Sequence, residues 1–106
     1  NKGKLGDKQI LSEAAVKEMQ KVQIAGEQIR EAPKAMQGYA FALGSWAEDD
    51  ANVLVLPGWN GTWPAIDFKR GYAFVVLPQN FSGEQYAAPY AAIKEAIDET
   101  MVVKKK

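Results

Sequence analysis

Leu56-Pro57-Gly58-Trp59-Asn60-Gly61-Thr62-Trp63-Pro64 interrupts two apolar runs. Residues 52–56 lead into it and residues 65–68 lead out. Gly and Pro impose an irregular backbone, so the flanking runs read as strands joined by a loop. Two tryptophans in one loop are costly to leave in water unless they pack or bind something. Taken by itself, the stretch is a hairpin connection whose aromatics cap the core, because Trp is highly buried on average.

Working outward, the pattern stays strand-like on both sides. From Tyr39 the period is two: Tyr39, Phe41 and Leu43 point one way, Ala40, Ala42 and Gly44 the other, with Trp46 following on that side. The spacing predicts one strand whose small face lies close against a neighbour. Glu48-Asp49-Asp50-Ala51-Asn52 is a turn, rich in side chains that bond their own backbone. Residues 53–56 are apolar at every position, as expected of a strand covered on both faces. After the Trp-rich loop comes a strand at 65–68. Lys69-Arg70-Gly71 then reads as a three-residue hairpin turn with Gly in the left-handed position, and residues 72–77 as the last strand.

Helices are expected at the two ends. Ser12 is a candidate cap, with Glu13 suited to the positive end of the dipole and Leu11 and Val16 at staple positions. That helix should run to about Gln23. Residues 24–37, punctuated by Gly26 and Pro33, read as a loop with a short helical turn. Near the other end, Ser82 and Gln85 make a capping box, with Phe81 and Tyr86 as its staple. Tyr86, Tyr90, Ile93, Ile97 and Met101 form one apolar helix face, which Pro89 kinks or begins. The fold class is α+β: an antiparallel sheet of about four strands with flanking N- and C-terminal helices. Residues 1–106 make a single domain or a fragment of one.

Composition narrows the chemistry. There are 13 basic and 13 acidic residues, so the formal net charge is zero. A nucleic-acid binder driven by electrostatics would carry a basic excess. With no Cys and no His, disulfides, thiolate ligands, Ser-His-Asp triads and most zinc sites are excluded. No apolar run reaches the ~20 residues of a membrane-spanning helix. Glu48-Asp49-Asp50 lacks calcium-loop spacing and reads as solvated turn. Asp67 reads as an organiser of its hairpin turn. Asn60-Gly61-Thr62 and Asn80-Phe81-Ser82 fit the glycosylation sequon, which matters only in a eukaryotic secretory setting. The sheet needs cover on both faces, and the short first helix offers a narrow stripe. That points to missing partner surface.

Several blocks in order resemble the C-terminal part of the serine β-lactamase and penicillin-binding-protein-like hydrolases, closest to the class C and esterase branch. They are the stretch from Gly3 through Ile10-Leu11-Ser12, then Gly38-Tyr39-Ala40-Phe41-Ala42-Leu43-Gly44-Ser45-Trp46, then Gly58-Trp59-Asn60-Gly61-Thr62 with Ile66-Asp67, and the strand at 72–79. The resemblance spans nearly the whole chain. It implies the C-terminal portion of the β-lactamase-like fold and a parent that hydrolyses a β-lactam, a D-Ala-D-Ala peptide or a small ester through an acyl-enzyme. No cofactor or metal is implied, and a periplasmic or secreted setting is slightly favoured.

The same resemblance aligns the family's third active-site motif with Leu56-Pro57-Gly58. Gly58 matches, whereas Leu56 lacks the usual cationic or hydrogen-bonding side chain and Pro57 has no N–H. The next backbone N–H, that of Trp59, would form half of the oxyanion hole, with Asn60 beside it on the substrate-binding rim. No Ser has Lys three residues on, and no Tyr has Asn two residues on, so the nucleophile and base of the family are absent. The chain is therefore expected to be a C-terminal fragment, inert alone. Its partners would be the rest of the parent domain or a second copy. A rival reading is a stand-alone interaction module that uses the Trp59/Trp63 loop as a contact surface, or a non-catalytic relative.

Overall fold

The computed structural model describes residues 1–79 and 87–101. A small hairpin comes first, β1 (Lys4–Leu5) with β2 (Lys8–Gln9), followed by α1 (Glu13–Met19). Ser12 caps α1: its Oγ accepts from the Ala15 N–H at 3.0 Å. The helix stops at Met19, short of the expected Gln23, and none of its residues is buried. With only seven residues and little tertiary packing, nothing extends it past its capped start. Two 3₁₀ turns, Gly26–Gln28 and Lys34–Met36, break up the following loop. The second brings Ala35 and Met36 into the core, and Met36 is fully buried.

Five antiparallel strands then form a meander in sequence order: β3 (Ala40–Phe41), β4 (Trp46–Glu48), β5 (Val53–Val55), β6 (Trp63–Asp67) and β7 (Tyr72–Val76). The sheet has one strand more than expected. The run at 39–46 does not continue straight; it folds back at Leu43 and Gly44, pairing Phe41 with Trp46 and Ala40 with Ala47. Gly44 has φ +77°, which lets the turn close. The small-faced side does lie close to a neighbour, for Ala42, Ala47, Ala51 and Leu54 cluster with Val22 against them. Ile24 pairs with Phe41 on the outer edge of β3. Among the described residues β7 pairs with β6 alone.

The β6–β7 turn is longer than expected. Asp67 pairs with Tyr72, leaving residues 68–71 as a four-residue loop closed by Gly71 N–H to Asp67 O at 2.8 Å. Gly71 has φ +76°, the left-handed conformation its position predicts. In the β4–β5 turn, Asp49, Asp50 and Ala51 all have positive φ. Asn52 ties that turn by donating from its backbone and side-chain nitrogens to Asp49 O at 3.0 and 2.7 Å.

Helix α2 (Ala88–Thr100) covers one face of the sheet, the inner face. Pro89 falls in its first turn, so it begins the helix rather than kinking it. The proposed capping box at Ser82 lies outside the described residues. The core joins Ala35, Met36, Val53, Val55, Trp63, Ala65 and Tyr90. Helix α2 is turned away from its expected apolar stripe. Tyr90 is buried, but Ile93 and Met101 are each 38% exposed, while Lys94 and Asp98 face the sheet. The reason is Asp67. Strand alternation places its carboxylate on the inner face with only 1% exposure, and a buried charge must be paired.

The opposite, outer face is mostly open. Ile66, Val75 and Leu77 are 44%, 56% and 72% exposed. Strand β7 is therefore apolar on both faces but covered on one: residues 72, 74 and 76 are half-buried, 73 and 75 exposed. Strand β5 is buried at all three positions, as expected, but Leu56, the fourth residue of the expected strand, lies beyond it and is 52% exposed.

Candidate functional site

The loop at 57–62 projects from the end of β5. Its base extends the sheet ladder, since the Leu56 N–H donates to Pro64 O at 3.3 Å. The Gly58 N–H donates to Thr62 O at 2.8 Å, and the Gly61 N–H donates to Gly58 O at 3.0 Å. A Cβ on Gly58 would overlap the Thr62 hydroxyl, which would have to turn away to admit any larger residue. Gly61 is anchored from below: the Tyr90 hydroxyl, on α2, donates to Gly61 O at 2.5 Å. The rings of Trp63 and Tyr90 stack at 4.3 Å and 8°. The loop is thus tied to both the sheet and the helix.

The two tryptophans part company. Trp63 is 4% exposed and packs in the core, whereas Trp59 is 68% exposed at the loop tip. Leu56 and Asn60 are exposed, and Pro57 and Gly58 half-buried. The five residues 56–60 therefore form one rim. Leu56 follows Leu54 by two positions and points to the outer face with it. There the rim meets a groove of about 390 Å³ between α1 and the sheet.

Sequence reasoning missed a second polar cluster at the other end of the inner face. Asp67 accepts from the Arg70 backbone N–H at 2.7 Å, from Arg70 Nη1 at 3.2 Å and from Lys94 Nζ at 2.9 Å. Lys94 Nζ also donates to Asp98 Oδ2 at 2.8 Å, and the Tyr72 hydroxyl donates to Asp98 Oδ1. Arg70 Nε lies 3.4 Å from Asp98 Oδ1. Burial works against both carboxylates, yet their cationic and N–H donors hold Asp67 and Asp98 below the ordinary Asp value. Burial also opposes the Lys94 charge, but Asp98, Asp67 and Tyr72 raise its pKa on balance. Burial and the bond to Asp98 push the Tyr72 hydroxyl up. Beside them, desolvation raises Glu48 against the pull of Lys94.

The bonding, with these directions of shift beside it, points to a structural role for the cluster. A general base needs a pKa near the working pH, and Lys94 moves away from it. Each carboxylate already accepts from several donors, and the one hydroxyl in the bonding, that of Tyr72, is spent on Asp98 with its pKa pushed up rather than down. The cluster is a fastening between α2 and the β6–β7 hairpin. The signal for it was present in the inward parity of Asp67 and the i,i+4 spacing of Lys94 and Asp98. Among the described residues no group of three or more His, Cys, Asp or Glu could hold a metal ion. No described helix is long and apolar enough to cross a membrane.

The described residues include two serines. Ser12 is used as the α1 cap, and Ser45 sits in the β3–β4 turn. Ser82 lies outside the described residues. Comparison with models of protein families, with characterised proteins and with solved structures gave no match to this chain.

Proposed function

We propose that this chain is the C-terminal part of a serine hydrolase of the β-lactamase and penicillin-binding-protein type. It supplies one wall of an acyl-transfer cleft and none of the reacting groups. In this reading the parent works through an acyl-enzyme on a β-lactam, a D-Ala-D-Ala peptide or a small ester. Residues 56–60 form the rim, and the Trp59 backbone N–H meets the developing oxyanion. A donor so placed contributes about 3 kcal/mol to the transition state.

The observation that carries the reading is the loop at 57–62. It stands at a strand end, as the third motif of the resembling family does, and is fixed by Gly58–Thr62 and Tyr90–Gly61 bonds. The open outer face supports the same conclusion, because Val75 and Leu77 need cover from a larger body. A second reading, an interaction module, draws on the 68% exposure of Trp59. Hydrolysis of p-nitrophenyl butyrate separates the two. The full gene product should turn it over and the 106-residue chain should not. Turnover by the chain alone, or none by the full product, would contradict the hydrolase reading.

A further inference from the structure

We propose that the cavity on the inner face of the sheet, beside α2, is a binding site for a small organic ammonium ion, with Glu48 as its counter-ion. The inference is independent of the hydrolase reading, because the cavity uses none of residues 56–60 and lies on the face that α2 covers.

The cavity holds about 240 Å³, just under the ~300–1,000 Å³ of drug-sized sites, so its occupant is small. Val53, Val55 and Ala65 form its floor on the sheet, with Phe74 and Ala91 among its walls. Such a lining suits a hydrocarbon body and offers a bare metal ion no oxygen ligand. The charges around it are unequal. Glu48, Asp49, Glu95 and Asp98 line the cavity, against Arg70 and Lys94. Both cations are already held by Asp67 and Asp98. Asp49 has Lys69 at 3.7 Å. Glu48 and Glu95 remain, each without a hydrogen bond or ion pair among the described residues.

Glu48 is the group that selects the ligand. It pairs with Val53 across the β4–β5 ladder, so its side chain shares the inner face with buried Val53. Asp49, Asp98 and Asp67 oppose its charge, and Lys94, already spent on two carboxylates, is the cation that favours it. A cation entering here meets an excess of negative charge, and an anion is repelled by it. The Tyr39 hydroxyl, close enough to feel the Glu48 charge, also lines the cavity with no hydrogen-bond partner among the described residues. An ammonium group has three N–H donors and no acceptor, so it can donate to Glu48 and Tyr39 together. The rings of Tyr39 and Phe74 add surface that attracts a cation within about 6 Å of a ring face.

NMR titration of the 106-residue chain with 2-phenylethylammonium tests the proposal. Saturable shifts centred on Tyr39, Val53, Val55 and Phe74 are expected. Binding should be at least tenfold tighter than that of 3-phenylpropionate or 2-phenylethanol, which share the ring but carry a negative charge or none. Glu48→Gln keeps the shape of the site and removes the counter-ion, and should weaken binding at least tenfold. Glu99→Gln removes the same charge from α2 outside the cavity and should leave binding unchanged. Ala91→Leu adds bulk at an exposed position on the cavity wall and should weaken binding as much as Glu48→Gln. Circular dichroism checks that each variant retains the fold. If Ala91→Leu disturbs it, Glu48→Gln, at an exposed position, still decides. No saturation, equal affinity for the carboxylate or the alcohol, shifts centred away from the cavity, or equal weakening by Glu99→Gln would overturn the site. Every readout is binding and not turnover, so failure of this site would leave the hydrolase reading standing, and failure of hydrolysis in the full product would leave the binding result intact.

Discussion

At Trp59 the proposed role of the backbone can be separated from any role of the side chain. If its N–H serves an oxyanion, Trp59→Pro in the full gene product should lower kcat about 10²- to 10³-fold while KM changes little. Trp59→Ala keeps the N–H and should keep kcat. Equal losses in both variants would mean that the indole, not the amide, matters. Gly71 offers a cleaner backbone test. Its φ is +76° and a Cβ there would meet nothing within 4 Å, so Gly71→Ala measures conformational strain alone. Urea unfolding should show a loss of about 1 kcal/mol.

The elements show why some of the fold was readable and some was not. The cap at Ser12, the apolar β5 and the left-handed Gly71 each follow from local chemistry, and each is present. The break at Gly44 was misread because the small residues at 40, 42 and 44 keep a period of two up to the turn; the turn then shifts the parity, so Trp46 pairs with Phe41 and shares its face rather than that of Ala40 and Ala42. The rotation of α2 was misread because apolar spacing ignores what the sheet presents. Asp67 outweighs Ile93 and Met101, since an unpaired buried carboxylate costs more than two half-exposed apolar side chains. Lys94→Met should therefore destabilise the chain by about 3 kcal/mol, even though it adds apolar surface. The rim at 56–60 came from resemblance to a family and not from periodicity, and no local rule would have singled out Leu56.

The fastening of α2 also sets a pH window. Asp67 and Asp98 have folded values below their unfolded ones, so their contribution is complete above about pH 4–5. It is lost as pH falls through the depressed values. Lys94 is raised, so its contribution is complete below its unfolded value, near 10.4, and is lost as pH rises through the folded one. Glu48, raised by desolvation, runs opposite to the two aspartates and blunts the acid side. Thermal unfolding across pH should show a plateau between about 5 and 10, and Lys94→Met should flatten the acid limb.

For the whole molecule, the decisive feature is asymmetry. One sheet face is closed by α2 and the other leaves Ile66, Val75 and Leu77 in contact with solvent. A chain with this surface should self-associate when isolated. Val75→Lys with Leu77→Lys should return it to a monomer in sedimentation velocity, and association that survives both changes would place the contact elsewhere. The central claim is that the chain carries a cleft wall while the nucleophile lies in the rest of the parent. Fluorophosphonate labelling of the full gene product, mapped by peptide mass spectrometry, tests it most directly. The account predicts a single adduct on a serine of a Ser-x-x-Lys sequence outside residues 1–106, and no adduct on the isolated chain. An adduct on Ser12, Ser45 or Ser82, or no adduct anywhere, would contradict it.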